Sequence, residues 1–554
     1  MNRSAANSGG KAVAAALRLA NVEIAFGLPG VHNMGLWPHL GAEGIRVLGS
    51  RHEQGTVYAA DGYSRATGRL GVAVTTTGPG AANTVGAVGE AWASKSPLLV
   101  ISTDIPSTVR RPGVYRGFVH ECIDQPGLFA PVTKGAVVSQ HPDDVAETVA
   151  AAAELALAPP QGPVYVEFPA DFLDAPSDAS PRSLSPFKPP EVGGDRLANA
   201  AALLAELERP LVWVGGGGRD AAAEVEALAT RLGAPVLTTF QARGIMPADH
   251  PLLLSLPPHE PEATALIESA DGIVVIGSDL DQMMTQAWRL PLPSRRLAIN
   301  IDEADAGKNY PMDLVLEGEA ADVLRRLLGI LPAERGPWAG DLGAIERATF
   351  ADLEAAPATE EAAEYLCSVE GALSDDAVVF ADMAVPGYWL AGLHRVRRQR
   401  GLHYPMGWGT LGFAFPASIG AAAGLDVPVV SFNGDGGILF ALGEMAAVVQ
   451  ERIPLTTVVV DDGGYGMLRY GKDAGGNRFG TELESPDFAA IAAGFGMETR
   501  ATTGVGSEFE RALRDAIDSG QPNLLVTKAK MLPPRTTSPR WPLRPGAAEP
   551  AASR

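Results

Sequence analysis

Val427-Pro428-Val429-Val430-Ser431-Phe432-Asn433-Gly434-Asp435-Gly436-Gly437 and Leu455-Thr456-Thr457-Val458-Val459-Val460-Asp461-Asp462-Gly463-Gly464-Tyr465-Gly466 each carry an apolar, β-branched run straight into an acidic, glycine-rich cluster. Neither run alternates polar with apolar, which is the pattern of a strand buried on both faces in a parallel sheet covered by helices. A helical stretch separates the two. In such sheets ligands collect beyond the carboxyl ends of the strands. Asp435 and Asp462, 27 positions apart, could therefore meet at one hard cation. The glycines flanking Asp435 let backbone amides approach phosphate oxygens with no side chain between. A lone Gly-Asp-Gly reads equally well as a turn, and the second cluster on the next strand is what turns it into a candidate site.

Outward from this pair, similar apolar runs recur between helical patterns at 71–77, 98–102, 164–168, 211–214, 272–276, 297–301, 377–381 and 524–527. The fold class they imply is α/β. Two aperiodic stretches, 174–194 and 331–342, divide the 554 residues into three blocks. The expected domains are about 1–175, 190–335 and 345–530, and the Pro-, Arg- and Ala-rich tail 533–554 is expected to be mobile. Lys and Arg number 44 against 65 Asp and Glu, a net charge of −21 without a basic block, so no nucleic-acid partner is expected. Two cysteines, Cys122 and Cys367, are too few for a disulfide framework and lack zinc-site spacing. A cytoplasmic protein is expected, without signal peptide or membrane association, because no apolar run approaches the roughly 20 residues of a membrane span.

The paired clusters resemble the diphosphate-binding motif of thiamin-diphosphate enzymes, in which an Asp, a second-strand Asn and a backbone carbonyl hold Mg²⁺. The resemblance implies Asp435, Asp462 and the Gly464 carbonyl as metal ligands, with Gly434, Gly436, Gly437, Tyr465, Gly466 and Met467 at the cofactor. One departure stands out. Where the family has Asn-Asn, this chain has Asp461-Asp462, and the added negative charge beside a diphosphate is expected to tighten metal binding and weaken cofactor binding.

Thiamin is activated by its own aminopyrimidine when a buried carboxylate bonds one ring nitrogen. Ser50-Arg51-His52-Glu53-Gln54-Gly55 and Ala59–Gly68 resemble the corresponding segment of acetolactate synthases, which makes Glu53 the expected activator. Thr75-Thr76-Thr77-Gly78-Pro79-Gly80-Ala81-Ala82-Asn83 resembles that family's second N-terminal signature and implies Thr77 at the cofactor. Gly407-Trp408-Gly409-Thr410-Leu411-Gly412 resembles its cofactor-bending segment, with Leu411 as the wedge and the Gly409 carbonyl as acceptor for the amino group. The implied fold is three doubly wound parallel-sheet domains: pyrimidine-binding, central and diphosphate-binding. Because Glu53 and the diphosphate motif lie in different blocks, which the family joins across subunits, the resemblance implies at least a homodimer and leaves a homotetramer open.

Substrate-facing candidates are fewer. His32 lies where benzaldehyde lyase and some 2-oxo acid decarboxylases similar to ketoarginine decarboxylase carry a histidine, and His120 and Gln125 occupy the place of the acetolactate synthases' Phe-Gln-Glu segment. All three are catalytic candidates, with Tyr465, Met467, Leu468 and Arg469 shaping the pocket. The Trp of strict acetolactate synthases is missing from the segment after the metal motif. The central Gly215-Gly216-Gly217-Gly218 lacks dinucleotide-fingerprint spacing, and FAD is not expected. The leading expectation is a carboligase that decarboxylates a 2-oxo acid and adds the remaining fragment to a second carbonyl. A 2-oxo acid decarboxylase releasing an aldehyde, an acyloin lyase, and a non-catalytic cofactor-binding or assembly subunit remain alternatives.

Overall fold

The computed structural model describes residues 7–469 and 480–534. The expected tail therefore falls outside the described residues beyond Pro534. Among the described residues, seventeen strands form three sheets.

The first sheet holds β1 (Ile24–Gly27), β2 (Arg46–Gly49), β3 (Gly71–Val74), β4 (Leu98–Asp104), β5 (Ala136–Val138) and β6 (Pro163–Pro169), in the order β2-β1-β3-β4-β6-β5. The second holds β7 (Pro210–Val214), β8 (Val236–Thr238), β9 (Gly272–Ile276), β10 (Arg295–Asn300) and β11 (Leu314–Glu317), ordered β11-β10-β9-β7-β8. The third holds β12 (Val378–Ala381), β13 (Leu402–His403), β14 (Val429–Gly434), β15 (Leu455–Asp461), β16 (Glu498–Thr503) and β17 (Asn523–Lys528), ordered β13-β12-β14-β15-β17-β16. Every pairing of these strands is parallel. The architecture is the doubly wound α/β class, three times over. Its inner strands β4, β7, β9 and β14 are buried along their whole length, as their unbroken apolar runs require.

The first and third sheets share one core. The helix Glu53–Thr67 lies against the helix Ala414–Gly424, and glycines set how closely they approach. A Cβ on Gly62 would stand 1.9 Å from the Ala417 carbonyl oxygen, and one on Gly420 would stand 1.7 Å from that of Ala59. Phe26, Tyr58 and Tyr63 of the N-terminal domain and Phe380, Phe413 and Phe415 of the C-terminal domain form one buried cluster around this junction. Beside it, Arg65 pairs with Asp61 (2.7 Å) and Glu90 (3.3 Å), all three nearly inaccessible, and its guanidinium stacks 4.6 Å from the Phe413 ring centroid. Glu90 also accepts from the Trp408 amide (3.1 Å). The 407–412 segment is thus moored to the N-terminal domain.

In the central domain the glycine loop after β7 is occupied internally. Gly215 N donates to the Ile276 carbonyl (2.8 Å), Gly217 N to that of Gly277 (2.9 Å) and Gly218 N to that of Gly215 (2.9 Å). The Gly215 and Gly217 amides close the loop onto the end of β9, and the Gly218 amide turns back within the loop. Among the described residues no helix is long and apolar enough to cross a membrane.

Candidate functional site

The two acidic clusters come off adjacent strand ends. β14 and β15 pair with Asn433 opposite Val459 and Gly434 opposite Val460, so Asp435 and Asp461-Asp462 leave the sheet side by side. Asp435 is 2 % exposed, and its Oδ2 accepts from Ser485 Oγ (2.9 Å), which also lies 2.7 Å from Asp461 Oδ1. Burial pushes the Asp435 carboxyl up to about 6, and the charges of Asp462 and Asp461 add to the rise. Burial also raises Asp462, against the opposing pull of Arg469. Crowded buried carboxylates are costly until a cation neutralises them, and oxygen donors of this kind suit Mg²⁺. The Gly464 carbonyl accepts from Gly466 N (3.1 Å) and keeps a second lone pair. Among the described residues no group of three His, Cys, Asp or Glu side chains forms a metal site by itself. A cation here would rest on two carboxylates, a backbone carbonyl and oxygens of its ligand. A cavity of about 600 Å³ adjoins this corner, lined in part by Asp461, Asp462, Ser485, Lys528 and Lys530.

The glycines of the motif are needed for packing. A Cβ on Gly436 would meet the Tyr465 ring at 2.6 Å, one on Gly437 would meet Asp382 Oδ2 at 2.4 Å, and one on Gly466 would meet Asp462 Oδ2 at 2.2 Å. Gly464, at φ +147°, would drive a Cβ to 2.1 Å from the Thr481 carbonyl oxygen. Met467 is half-buried against the core of the third sheet.

Asp382, which sequence reasoning missed, ties the 407–412 segment to the Gly434–Gly437 cluster. It follows β12, at the point where strand order reverses between β12 and β14, the usual ligand crevice of such sheets. Its side chain is wholly buried; Oδ2 accepts from Gly412 N (2.9 Å) and Oδ1 from Met383 N (2.9 Å). Burial pushes this carboxyl up to about 6. The same carboxylate therefore grips the 407–412 segment and fills the space beside Gly437. A buried Asp directly after an apolar strand was the available signal. Leu411 sits half-buried in a turn before the helix Ala414–Gly424, between Gly409 (φ +67°) and Gly412 (φ +77°). Those left-handed backbone positions make the turn a glycine-specific one.

On the N-terminal side Glu53 opens the helix Glu53–Thr67, with His52 as N-cap. Its Oε2 accepts from Asn83 Nδ2 (3.0 Å), which joins the two N-terminal signatures. Glu444 supports this corner from the other domain: its buried carboxylate accepts from the amides of Arg51 (3.0 Å) and His52 (2.9 Å). Among the described residues of one chain, no hydrogen bond or ion pair links Glu53 to Asp435, Asp462 or Leu411.

The remaining candidates divide. His32 and His120 meet edge to face with ring centroids 5.3 Å apart, and Phe118 stacks 6.2 Å from His32. Both Nδ1 atoms are buried without a hydrogen-bond partner. Burial lowers the His32 pKa, and His120 lowers it further. His120 has φ +69°, and its backbone crowds Gly78, itself at φ +65°. Gln125, a catalytic candidate by sequence, is held on every side within the N-terminal domain. It is wholly buried; its Oε1 accepts from Gly78 N (2.6 Å), and its Nε2 donates toward the Thr103 carbonyl, Tyr165 Oη and Glu167 Oε2. Every polar atom is engaged, so Gln125 clamps the Gly78 turn. Thr77 is likewise turned inward, its hydroxyl 2.9 Å from that of Thr103, whereas the Thr76 hydroxyl lies beside Gly30 without a partner. Arg469 is turned onto Asp462.

Comparison with known proteins agrees with this geometry. Profiles described as thiamine pyrophosphate enzyme N-terminal TPP binding domain, central domain and C-terminal TPP binding domain match residues 7–128, 197–327 and 382–527. The chain is 31 % identical to a protein of Methanocaldococcus jannaschii assigned as an acetolactate synthase large subunit, over 95 % of this chain and 93 % of that one. It is 33 % identical to a Pseudomonas aeruginosa protein assigned as 2-ketoarginine decarboxylase AruI, over 91 % of each. An X-ray structure from Mycobacterium smegmatis, assigned to the thiamin diphosphate-dependent enzymes, superposes with a TM-score of 0.78 over 95 % of this chain and all of that one. At 23 % identity it bears on the fold alone.

Proposed function

The chain belongs to the thiamine pyrophosphate enzyme family, a thiamin-diphosphate-dependent enzyme related to acetolactate synthases and 2-oxo acid decarboxylases, and from that premise we propose that it is a Mg²⁺-dependent carboligase. It removes CO₂ from a 2-oxo acid and joins the remaining fragment to a second carbonyl compound. When bound, thiamin diphosphate supplies the carbon nucleophile and the electron sink for this chemistry. In the proposed site Asp435, Asp462 and the Gly464 carbonyl hold Mg²⁺, Gly434, Gly436, Gly437, Tyr465, Gly466 and Met467 surround the diphosphate, and Leu411 supports the rings, held in place by Asp382. Glu53 keeps a carboxylate at the pyrimidine and governs the proton there. That no hydrogen bond or ion pair joins it to the diphosphate side among the described residues of one chain supports a homodimer in which each cofactor is shared between two copies.

The observation that carries the carboligase reading is the His32–His120 pair. Two imidazoles with unpartnered Nδ1 atoms stand at an apolar rim of Val31, Phe118 and Val119. Burial, and after it the charge of His120, lower the His32 pKa and so favour its neutral form, against the pull of Asp104. A neutral imidazole can hydrogen-bond an acceptor's carbonyl oxygen while being a poor acid toward carbon, which suits joining two carbonyls better than quenching one. Incubation with a ¹³C-labelled 2-oxo acid and an aldehyde, followed by NMR of the products, tests this. A single product with both carbon skeletons is expected. Release of the decarboxylated aldehyde alone would instead establish the decarboxylase.

A further inference from the structure

Asp462 stands where the family carries an uncharged asparagine, and an added negative charge there should oppose a diphosphate. The structure places a countercharge against it. Arg469 Nη2 lies 2.6 Å from Asp462 Oδ1 and 3.0 Å from the Asp462 carbonyl oxygen, and the two side chains are only 8 % and 12 % exposed. Arg469 Nε lies 3.7 Å from Glu482 Oε1, a more exposed carboxylate. Asp462 Oδ2 lies on the other side, packed over the Cα of Gly466, where any Cβ would come within 2.2 Å. One oxygen is thus neutralised by the guanidinium, the other packs over a position that only glycine can occupy, and the Gly464 amide also bonds the carboxylate.

We propose that Arg469 is the countercharge that lets an aspartate act as metal ligand at position 462: it takes Oδ1, leaves Oδ2 for the cation and cancels the charge that would otherwise repel the diphosphate. The inference rests on the metal site proposed above. It replaces the expectation from sequence, in which the extra charge tightens metal and weakens cofactor. With Arg469 in place, Asp462 and Arg469 together present about the charge of the asparagine they replace. Arg469 is then a positioning residue and not part of the substrate pocket.

The physics gives the pair a sign that a structural role would not have. Nearby charges in a partly buried site interact far more strongly than in water, and removing one member of a buried pair leaves the other uncompensated. The loss caused by removing Arg469 must therefore depend on whether residue 462 is charged.

The test uses four purified full-length proteins: wild type, Arg469→Met, Asp462→Asn and the double variant. Thiamin diphosphate is titrated by calorimetry at saturating Mg²⁺, and Mn²⁺ is titrated as a spin probe by electron paramagnetic resonance. Arg469→Met is expected to weaken thiamin diphosphate on the order of tenfold or more with Asp462 present, and by no more than about twofold in the Asp462→Asn background. Asp462→Asn alone is expected to leave it within about twofold of the wild type, since Arg469 then has no charge at 462 to cancel and still faces Glu482. Arg469→Lys, which keeps the charge, should recover most of the affinity. Thermal denaturation of each variant verifies folding, and the contrast between backgrounds stays readable if every variant is somewhat less stable. Equal weakening in both backgrounds, or unchanged binding with only a raised KM for the 2-oxo acid, would overturn the inference. Failure of the wild type to bind thiamin diphosphate or Mn²⁺ would overturn the site assignment itself and the inference with it.

Discussion

The first and third sheets are built to one plan: each has the strand order 2-1-3-4-6-5 when its strands are counted from its own start. Both fourth strands end in an aspartate, Asp104 and Asp461, but the surroundings of equivalent strand ends differ. Beyond its third strand the N-terminal sheet places Thr76 and the turn of Gly78, with His120 packed on that turn. Beyond its third and fourth strands the C-terminal sheet places Asp435, Asp461 and Asp462. The same geometry of strand ends thus serves the Thr76–Gly78 turn on one side, where the Asp104 that ends β4 is paired with Arg110, and carboxylates crowded together on the other. The difference teaches that topology fixes where a ligand can lie, while loop residues decide which end of it lies there. The carboxylate side should govern binding of the cofactor, and the N-terminal side what is done with it.

The widest separation between the two sides is expected from a pair of substitutions. Asp435→Ala should abolish both thiamin diphosphate binding and turnover. Glu53→Gln should lower kcat by about a thousandfold or more while leaving binding within a fewfold, because it removes a proton-governing group and little binding area. Calorimetry beside steady-state kinetics reads both. Equal losses of binding in the two variants would break the division of labour.

The next largest effect concerns what the two sides share. Gly420→Ala puts a Cβ 1.7 Å from the Ala59 carbonyl oxygen, and backbone cannot yield as a flexible side chain does. Destabilisation above about 3 kcal/mol is expected, read as a large fall in melting temperature. A variant melting like the wild type would contradict the close helix contact that joins the domains. Asp382→Asn should act more mildly, and on the C-terminal side alone. The amide keeps the volume but loses a charge-assisted bond to Gly412 N, so thiamin diphosphate affinity should fall by about tenfold with little change in melting.

How much of this could be read in the sequence depended on the kind of interaction. The ten apolar strands were legible, as were the clusters at 434–437 and 461–466, because burial on both faces and glycine spacing leave a local pattern. The remaining strands were not. β1, β2, β5, β8, β11 and β13 are only two to four residues long, and β16 is a polar edge, Glu-Thr-Arg-Ala-Thr-Thr. Within the site, roles set by distant partners were equally hidden. Gln125 became a clamp because Gly78, Thr103 and Glu167 surround it. Glu444 grips Arg51 and His52 across 392 or more positions, and nothing local announces that. The pairing of Arg469 with Asp462 joins residues seven positions apart across a turn, and no local pattern marks it.

The smallest expected effect separates the two sides by pH. Asp435 and Glu167 are both buried carboxyls with raised pKa values, but only Asp435 sits where a cation would reverse the shift. Glu167 is pushed up to about 7, chiefly by burial and further by Asp104, against the Tyr165 hydroxyl, Gln125 and Arg110, which favour its charged form. In the unfolded chain it titrates near 4.3. The folded state therefore binds this proton more tightly. The stability it contributes is complete below about pH 4 and is lost as pH rises through about 7. Glu167→Gln keeps an acceptor for Tyr165 and Gln125 but cannot ionise, so its melting temperature should fall less than that of the wild type between pH 5 and 8, by a few degrees. Saturating Mg²⁺ should leave that difference untouched, because no metal site is proposed near Glu167. If Mg²⁺ instead erased the difference, the N-terminal carboxyl would be coupled to the cation after all, and the division between a metal-free side and a metal side would fail.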